Sequence, residues 1–249
     1  MKHDLIVSEF KRIKELGFVK NVKNDSSDGS IGNTFEYHLN VKENNLTEAD
    51  FDDFEVKAKD EATTSVRSLF TKKPTFPPKG DGYMLSQWGY PDPNHPTKNK
   101  LNTSIYGHRW SLVDEKYNMR LEVEDDKIYL HVTDPTTSKT LNRTVYWDYE
   151  AIKKGSKKLK NLFTVVAKRE KREDGYYFHY TNATVYLNYI GTDNFISLIK
   201  EGLLRYDHRI GVTGINNKRG PGKPHNHGGG FRIDGKYLPK LYQTVIEID

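Results

Sequence analysis

The stretch Asp50-Phe51-Asp52-Asp53-Phe54-Glu55-Val56-Lys57 governs how the rest of this chain is read. It is a short run of strand-forming residues, crowded with carboxylates and ending in a lysine. In a strand, side chains at i and i+2 share a face, so Glu55 and Lys57 fall on one side and Phe54 and Val56 on the other. A carboxylate pair beside an amine suits Mg²⁺-assisted phosphodiester hydrolysis. The hard cation takes oxygen ligands, and the ammonium can lie next to the attacking water and the charged phosphate oxygens. Acid-x-Lys spacing alone carries little, because it recurs at Glu9/Lys11, Asp114/Lys116, Asp125/Lys127 and Asp234/Lys236, where a solvated ion pair accounts for it. The Glu55 run differs in its apolar opposite face, its extra upstream acids and the preceding helical segment that carries Glu36. Simple alternation makes Asp53 the partner of Glu55, whereas Asp50 would need a bend at the start of the strand. Spacing leaves both open.

Around this run, composition sets the limits. A chain of 249 residues can form one large domain or two lobes, each with its own core. Lys and Arg number 39 against 34 Asp and Glu, a net charge of +5, and the bases cluster at 153–160, 168–172 and 218–232. Such a balance is compatible with a polyanionic partner. There is no cysteine, which excludes disulfides, Cys-ligated zinc and thiol nucleophiles. No apolar run approaches the ~20 residues of a membrane span. Met1-Lys2-His3-Asp4 leads into an amphipathic pattern rather than a signal core, so a cytoplasmic chain with no membrane partner is expected.

Periodicity predicts a mixed α/β (α+β) chain. Leu5, Ile6, Phe10, Ile13 and Leu16 recur at helical spacing until Gly17, and a short helix over 34–39 carries Glu36. Strands are predicted over 51–58, 65–71, 161–168 and 176–187, an antiparallel meander over 108–134, and helices over 147–158 and 193–201. Residues 72–100, rich in Pro, Gly and Asn, read as one long loop.

Two constellations near the end of the chain suit base recognition. His225-Asn226-His227 places two imidazoles on one face of an extended segment, beside Lys218, Arg219, Lys223 and Arg232. Those groups fit the guanine N7 and O6 acceptors of a groove; a glycine-rich surface hairpin with solvated histidines explains the same letters. With no cysteine and no third ligand nearby, zinc is the poorer explanation. Asp207 and Arg209, also i and i+2, would match a G·C pair through cytosine N4 and guanine, though an ordinary ion pair is the better explanation of that spacing by itself.

Ordered blocks then match a known pattern: Ile31-Gly32-x-Thr34-Phe35-Glu36, Asn45-Leu46 with Asp50-Phe51-x-Asp53-x-Glu55-x-Lys57, and Ser68-Leu69-Phe70-Thr71-Lys72-x-Pro74-Thr75. Val145-Tyr146-Trp147, Asp207-x-Arg209-Ile210-Gly211 and Lys223-x-His225-x-His227-Gly228-x-x-Phe231-Arg232-Ile233 follow in the same order. The chain resembles the MvaI-like type II restriction endonucleases, grouped with BcnI and MutH in the PD-(D/E)xK nuclease superfamily. Residues 79–102 depart from that pattern.

The resemblance implies a PD-(D/E)xK/MutH-like fold with two lobes around a DNA cleft. Residues 1–105 would form most of the catalytic lobe, and 106–249 would complete it and build the recognition lobe around 207–233. It implies Asp50, Glu55 and Lys57 as catalytic residues with Glu36 as an auxiliary acid, and so favours Asp50 over Asp53. Asp50, Glu55 and the Val56 carbonyl would hold Mg²⁺, with Mn²⁺ as a substitute. Asp207, Arg209, Lys223, His225, His227 and Arg232 would contact double-stranded DNA at a short G·C-flanked pseudo-palindrome, CCWGG-like or CCSGG-like. A monomer cutting strand by strand, with a cognate DNA methyltransferase, completes the expectation. A MutH-like nickase that needs partner proteins and a non-catalytic DNA-binding module are the alternatives.

Overall fold

The structure is a computed structural model that describes residues 3–23, 25–27, 29–40, 51, 53–63, 66–214 and 220–249. The chain opens with α1 (Asp4–Glu15), β1 (Val19–Lys20), α2 (Gly29–His38) and β2 (Phe54–Asp60). Next come β3 (Val66–Thr71), α3 (Gly80–Trp88), β4 (Tyr90–Asp92) and β5 (His95–Tyr106). Strands β6 (Ser111–Val113), β7 (Tyr117–Val123), β8 (Lys127–Thr133), β9 (Thr140–Asn142) and β10 (Tyr146–Asp148) lead into α4 (Tyr149–Ser156). After β11 (Asn161–Arg172) and β12 (Gly175–Tyr189) come α5 (Thr192–Lys200), β13 (Leu204–Val212), β14 (Pro224–Asn226), β15 (Gly230–Asp234) and β16 (Tyr242–Ile248). Among the described residues no helix is long and apolar enough to cross a membrane.

These elements form two compact units that interleave along the chain. The first takes residues up to Ser65, then Lys157–Ile190 and Pro239–Asp249; the second takes Val66–Ser156 and Gly191–Leu238.

The first unit is a five-stranded sheet, ordered β1-β12-β11-β2, with β16 also on β12. Strand β2 runs parallel to β11, with Phe54 opposite Asn161 and Lys57 opposite Thr164. One face carries α1 and α2, whose Ile6, Phe10, Ile13, Ile31, Phe35 and Leu39 pack on Phe54, Val56, Phe163, Val165 and Tyr180. Burying each such side chain contributes about 1.5–3 kcal/mol. Within α1 the inward residues are Ile6, Phe10 and Ile13, while Leu5 and Leu16 are exposed, so the apolar stripe is narrower than the letters suggest. Strand β2 begins at Phe54; Phe51 makes only an isolated bridge back to Phe54, closing a tight turn that contains Asp53.

The second unit holds two sheets. A six-stranded sheet has the order β3-β15-β13-β5-β4 with β14 also on β13, and a five-stranded one the order β10-β8-β7-β6 with β9 also on β8. The second is the expected meander. Its companion is cemented by aromatic rings, with Trp147 4.5 Å from Tyr206, and Phe70 and Phe195 each 5.5 Å from a ring of the same cluster. The region read as a loop over 72–100 is structured instead: it contains α3, β4 and the first half of β5. In α3 the buried residues are Gly80, Met84 and Trp88, a helical spacing masked by glycines in a short segment. In β5 only Leu101 and Ile105 are fully buried, so its other positions read as polar loop.

Candidate functional site

In the first unit, Glu55 and Lys57 share the sheet face away from α1 and α2, as alternation requires. That face is only partly open to solvent, through the Lys57 and Lys158 side chains. Leu162 and Thr164 flank the pair on β11, Tyr186 and Tyr242 are buried beyond, and Glu55 is 3% exposed. Lys57 Nζ donates to Glu55 Oε1 at 2.8 Å. A second ammonium, Lys158 Nζ, reaches the same Oε1 at 2.6 Å. Among the described residues the other oxygen, Oε2, is buried with no hydrogen-bond partner. Burial, and then the charges of Tyr189, Glu55 and Tyr186, push the Tyr242 phenol well above its usual range, so the Glu55 carboxylate lies within electrostatic reach of it.

The other acids of the opening run separate by location. Asp50 lies outside the described residues. Asp53, the partner that simple alternation favours, sits in the turn before β2, and its Oδ2 accepts from Lys160 Nζ at 3.0 Å near the surface. Alternation does not reach it because the strand has not yet begun. Glu36 is half-buried on α2, its carboxylate close to Gly32. After burial, its charge adds to the upward shift of the Tyr180 phenol, whose hydroxyl donates to Ile31 O at 2.8 Å. The Val56 side chain is buried in the core.

Among the described residues no group of three His, Asp or Glu side chains forms a cation cage. The donor chemistry at Glu55 nonetheless fits a hard divalent ion. A buried carboxylate oxygen without a donor is unfavourable by about 1–3 kcal/mol, and more when charged, unless a cation or water engages it.

In the second unit, β13 gathers the recognition candidates. Alternation puts Arg205, Asp207 and Arg209 on one face while Tyr206, His208 and Ile210 are buried on the other. Register sets Arg232 of β15 opposite Arg205, and His225 of β14 opposite Gly211. Asp207 is buried and doubly held: Arg205 Nε donates to Oδ1 at 3.0 Å and Arg232 Nε lies 3.3 Å from Oδ2. His225 and His227 meet edge to face with ring centroids 4.0 Å apart. Burial, then the positive neighbours His225, Arg209 and Arg232, hold the His227 pKa below its usual value, so these side chains form one cluster. Lys223 is exposed at the edge of the same hairpin, its backbone N–H bonded to Thr213 Oγ1 at 2.9 Å. Lys218 and Arg219 lie outside the described residues.

Sequence reading missed two members of these clusters. Lys158 was only one of several lysines in a basic run, and nothing local linked it to β2. Arg205 was legible in principle, because Arg205-x-Asp207-x-Arg209 already has strand spacing.

Both units recur in solved structures. The restriction endonuclease MvaI in complex with its cognate DNA substrate superposes with a TM-score of 0.86 at 25% identity, covering 100% of this chain and 99% of that one. MvaI in the absence of DNA gives a TM-score of 0.58 at 25% identity, over 100% and 98%. The class is therefore that of a type II site-specific nuclease. The chain belongs to the MvaI/BcnI restriction endonuclease family, whose model matches residues 7–242. A comparison with curated proteins gives no match.

Proposed function

We propose that this enzyme cleaves double-stranded DNA at a short G·C-flanked pseudo-palindrome, CCWGG-like or CCSGG-like, in a Mg²⁺-dependent reaction that cuts one strand and then the other. The observation that carries the reading is Glu55: one oxygen is pinned by ammonium groups and the other is buried with no partner among the described residues. Glu55 Oε2, the Asp50 carboxylate and the Val56 carbonyl would hold the ion, with Mn²⁺ as a substitute; the place of Asp50 rests on family resemblance. When bound, the metal supplies Lewis-acid activation of a water and neutralises charge on the phosphate. Lys57 orients the attacking water and stabilises charge as it develops on the phosphate oxygens. Glu36 assists as an auxiliary acid.

Recognition falls to the other cluster. Arg209, Arg232, His225 and His227 offer donors suited to guanine N7 and O6, and Lys223 suits a phosphate. Both Asp207 oxygens already face arginines, so it supports this reading best as the charge that fixes the Arg205 and Arg232 side chains. The unit containing β2 would be the catalytic lobe and the unit containing β13 the recognition lobe. A cytoplasmic monomer, with a cognate DNA methyltransferase protecting host sites, belongs to the same reading.

The test is digestion of a sequenced duplex by the purified chain with Mg²⁺, followed by sequencing of the ends. Double-strand breaks at one short G·C-flanked site are expected; nicks alone would favour a MutH-like enzyme. Glu55→Ala should lower cleavage by at least about 10³-fold while leaving DNA binding nearly intact. Wild-type cleavage by that variant would remove Glu55 from the site.

A further inference from the structure

Resting on that reading, we propose that Lys158 is a second active-site lysine, which caps Glu55 Oε1 and can exchange it for an oxygen of the scissile phosphate when DNA is bound. The topology brings it there. Because β11 runs parallel to β2 with Asn161 opposite Phe54, the turn before β11 lies beside the start of β2. Lys160 from this turn takes Asp53 at 3.0 Å and Lys158 takes Glu55 at 2.6 Å, while Leu159 between them is fully buried and anchors the turn. The two pairs differ in surroundings: the Lys160 side chain is 62% exposed, that of Lys158 29%, and that of Glu55 4%.

Charge distinguishes the Lys158 contact from simple neutralisation. One ammonium balances one buried carboxylate, and Lys57 already supplies it. A second brings two ammoniums onto one described carboxylate, in a region where desolvation penalises every charge. Both cations also crowd one oxygen while Oε2 has no partner among the described residues, the reverse of a pair optimised for stability alone. Two ammoniums beside a ligand oxygen with no described partner suit a site that receives a phosphate and a divalent cation together. The lysine stem is long and its charge compact, so the head group can exchange the carboxylate for a phosphate oxygen without backbone movement.

The consequence has opposite signs for two measurements. Removing a cation that competes for Glu55 should tighten Mn²⁺ binding to the DNA-free protein, on the order of tenfold, read as free Mn²⁺ by electron paramagnetic resonance. The same change should slow single-turnover cleavage of a cognate duplex at saturating Mg²⁺, on the order of 100-fold. Lys158→Met keeps most of the stem and Lys158→Ala removes it; both should show the split. Lys158→Arg should retain most activity, and Lys160→Ala should behave as wild type in both assays. Unchanged or weakened Mn²⁺ binding in Lys158→Met, or an unchanged cleavage rate, overturns the proposal, as does failure of both Lys158→Met and Lys158→Ala to fold. Failure of the underlying reading looks different: Glu55→Ala would bind Mn²⁺ and cleave as wild type does.

Discussion

Glu55 and Asp207 are both buried acids held by two basic side chains, and the difference between them lies in single oxygens. At Glu55 both ammoniums meet Oε1, and Oε2 is without a partner among the described residues. At Asp207 the arginines divide, Arg205 on Oδ1 and Arg232 on Oδ2. The first retains an oxygen for a further cation; the second has an arginine at each oxygen and serves as a fixed counter-charge. Asp207→Asn removes that charge and leaves partly buried guanidinium groups unbalanced, which should destabilise the fold by about 3 kcal/mol, measured by denaturant unfolding. Sequencing of cleaved sites should also show relaxed choice at a G·C position. Unchanged stability together with unchanged site preference would refute a counter-charge role.

At the level of elements, the His225 hairpin depends on close backbone approach. A Cβ on Gly229 would lie 2.1 Å from the Tyr206 hydroxyl, and one on Gly230 2.6 Å from the Phe70 carbonyl oxygen. The Tyr206 ring is fixed against Trp147 and Phe231, and its hydroxyl donates to Asp81 Oδ1 at 3.1 Å, so it cannot yield cheaply. Gly229→Ala should therefore cost about 1–3 kcal/mol in unfolding free energy. It should also shift the His225 and His227 resonances in a proton–nitrogen spectrum; a spectrum and stability like the wild type would mean the hairpin tolerates displacement. The same scale shows what sequence could deliver. The β7–β8 meander and the core of α1 were legible from local alternation and helical spacing. Helix α3 and strand β5 were not, because short glycine-containing or polar segments take their structure from distant partners, as β5 does from its antiparallel pairing with β13.

For the whole molecule, the net charge of +5 frames the DNA interaction. If lysines such as Lys223 engage phosphates while the β13 cluster reads bases, affinity should fall on the order of 10³-fold between about 50 and 200 mM salt. A filter-binding series would show this, and a flat response would argue against a phosphate-dominated interface. The interleaving of the two units also explains why no single boundary is visible along the chain. The first unit is completed by Lys157–Ile190 and Pro239–Asp249, so part of its sheet arrives long after β2.

The sequence alone determined the family, the strand carrying Glu55 and Lys57, their common face, and the candidates along β13, because each depends on spacing within one segment. Only the tertiary structure decided that Asp53 belongs to a surface pair with Lys160, that Lys158 joins Glu55, and that Arg205 and Arg232 share Asp207. Those outcomes depend on strand pairing between distant segments, above all the parallel register of β2 on β11, and local periodicity carries no information about which strand lies beside which.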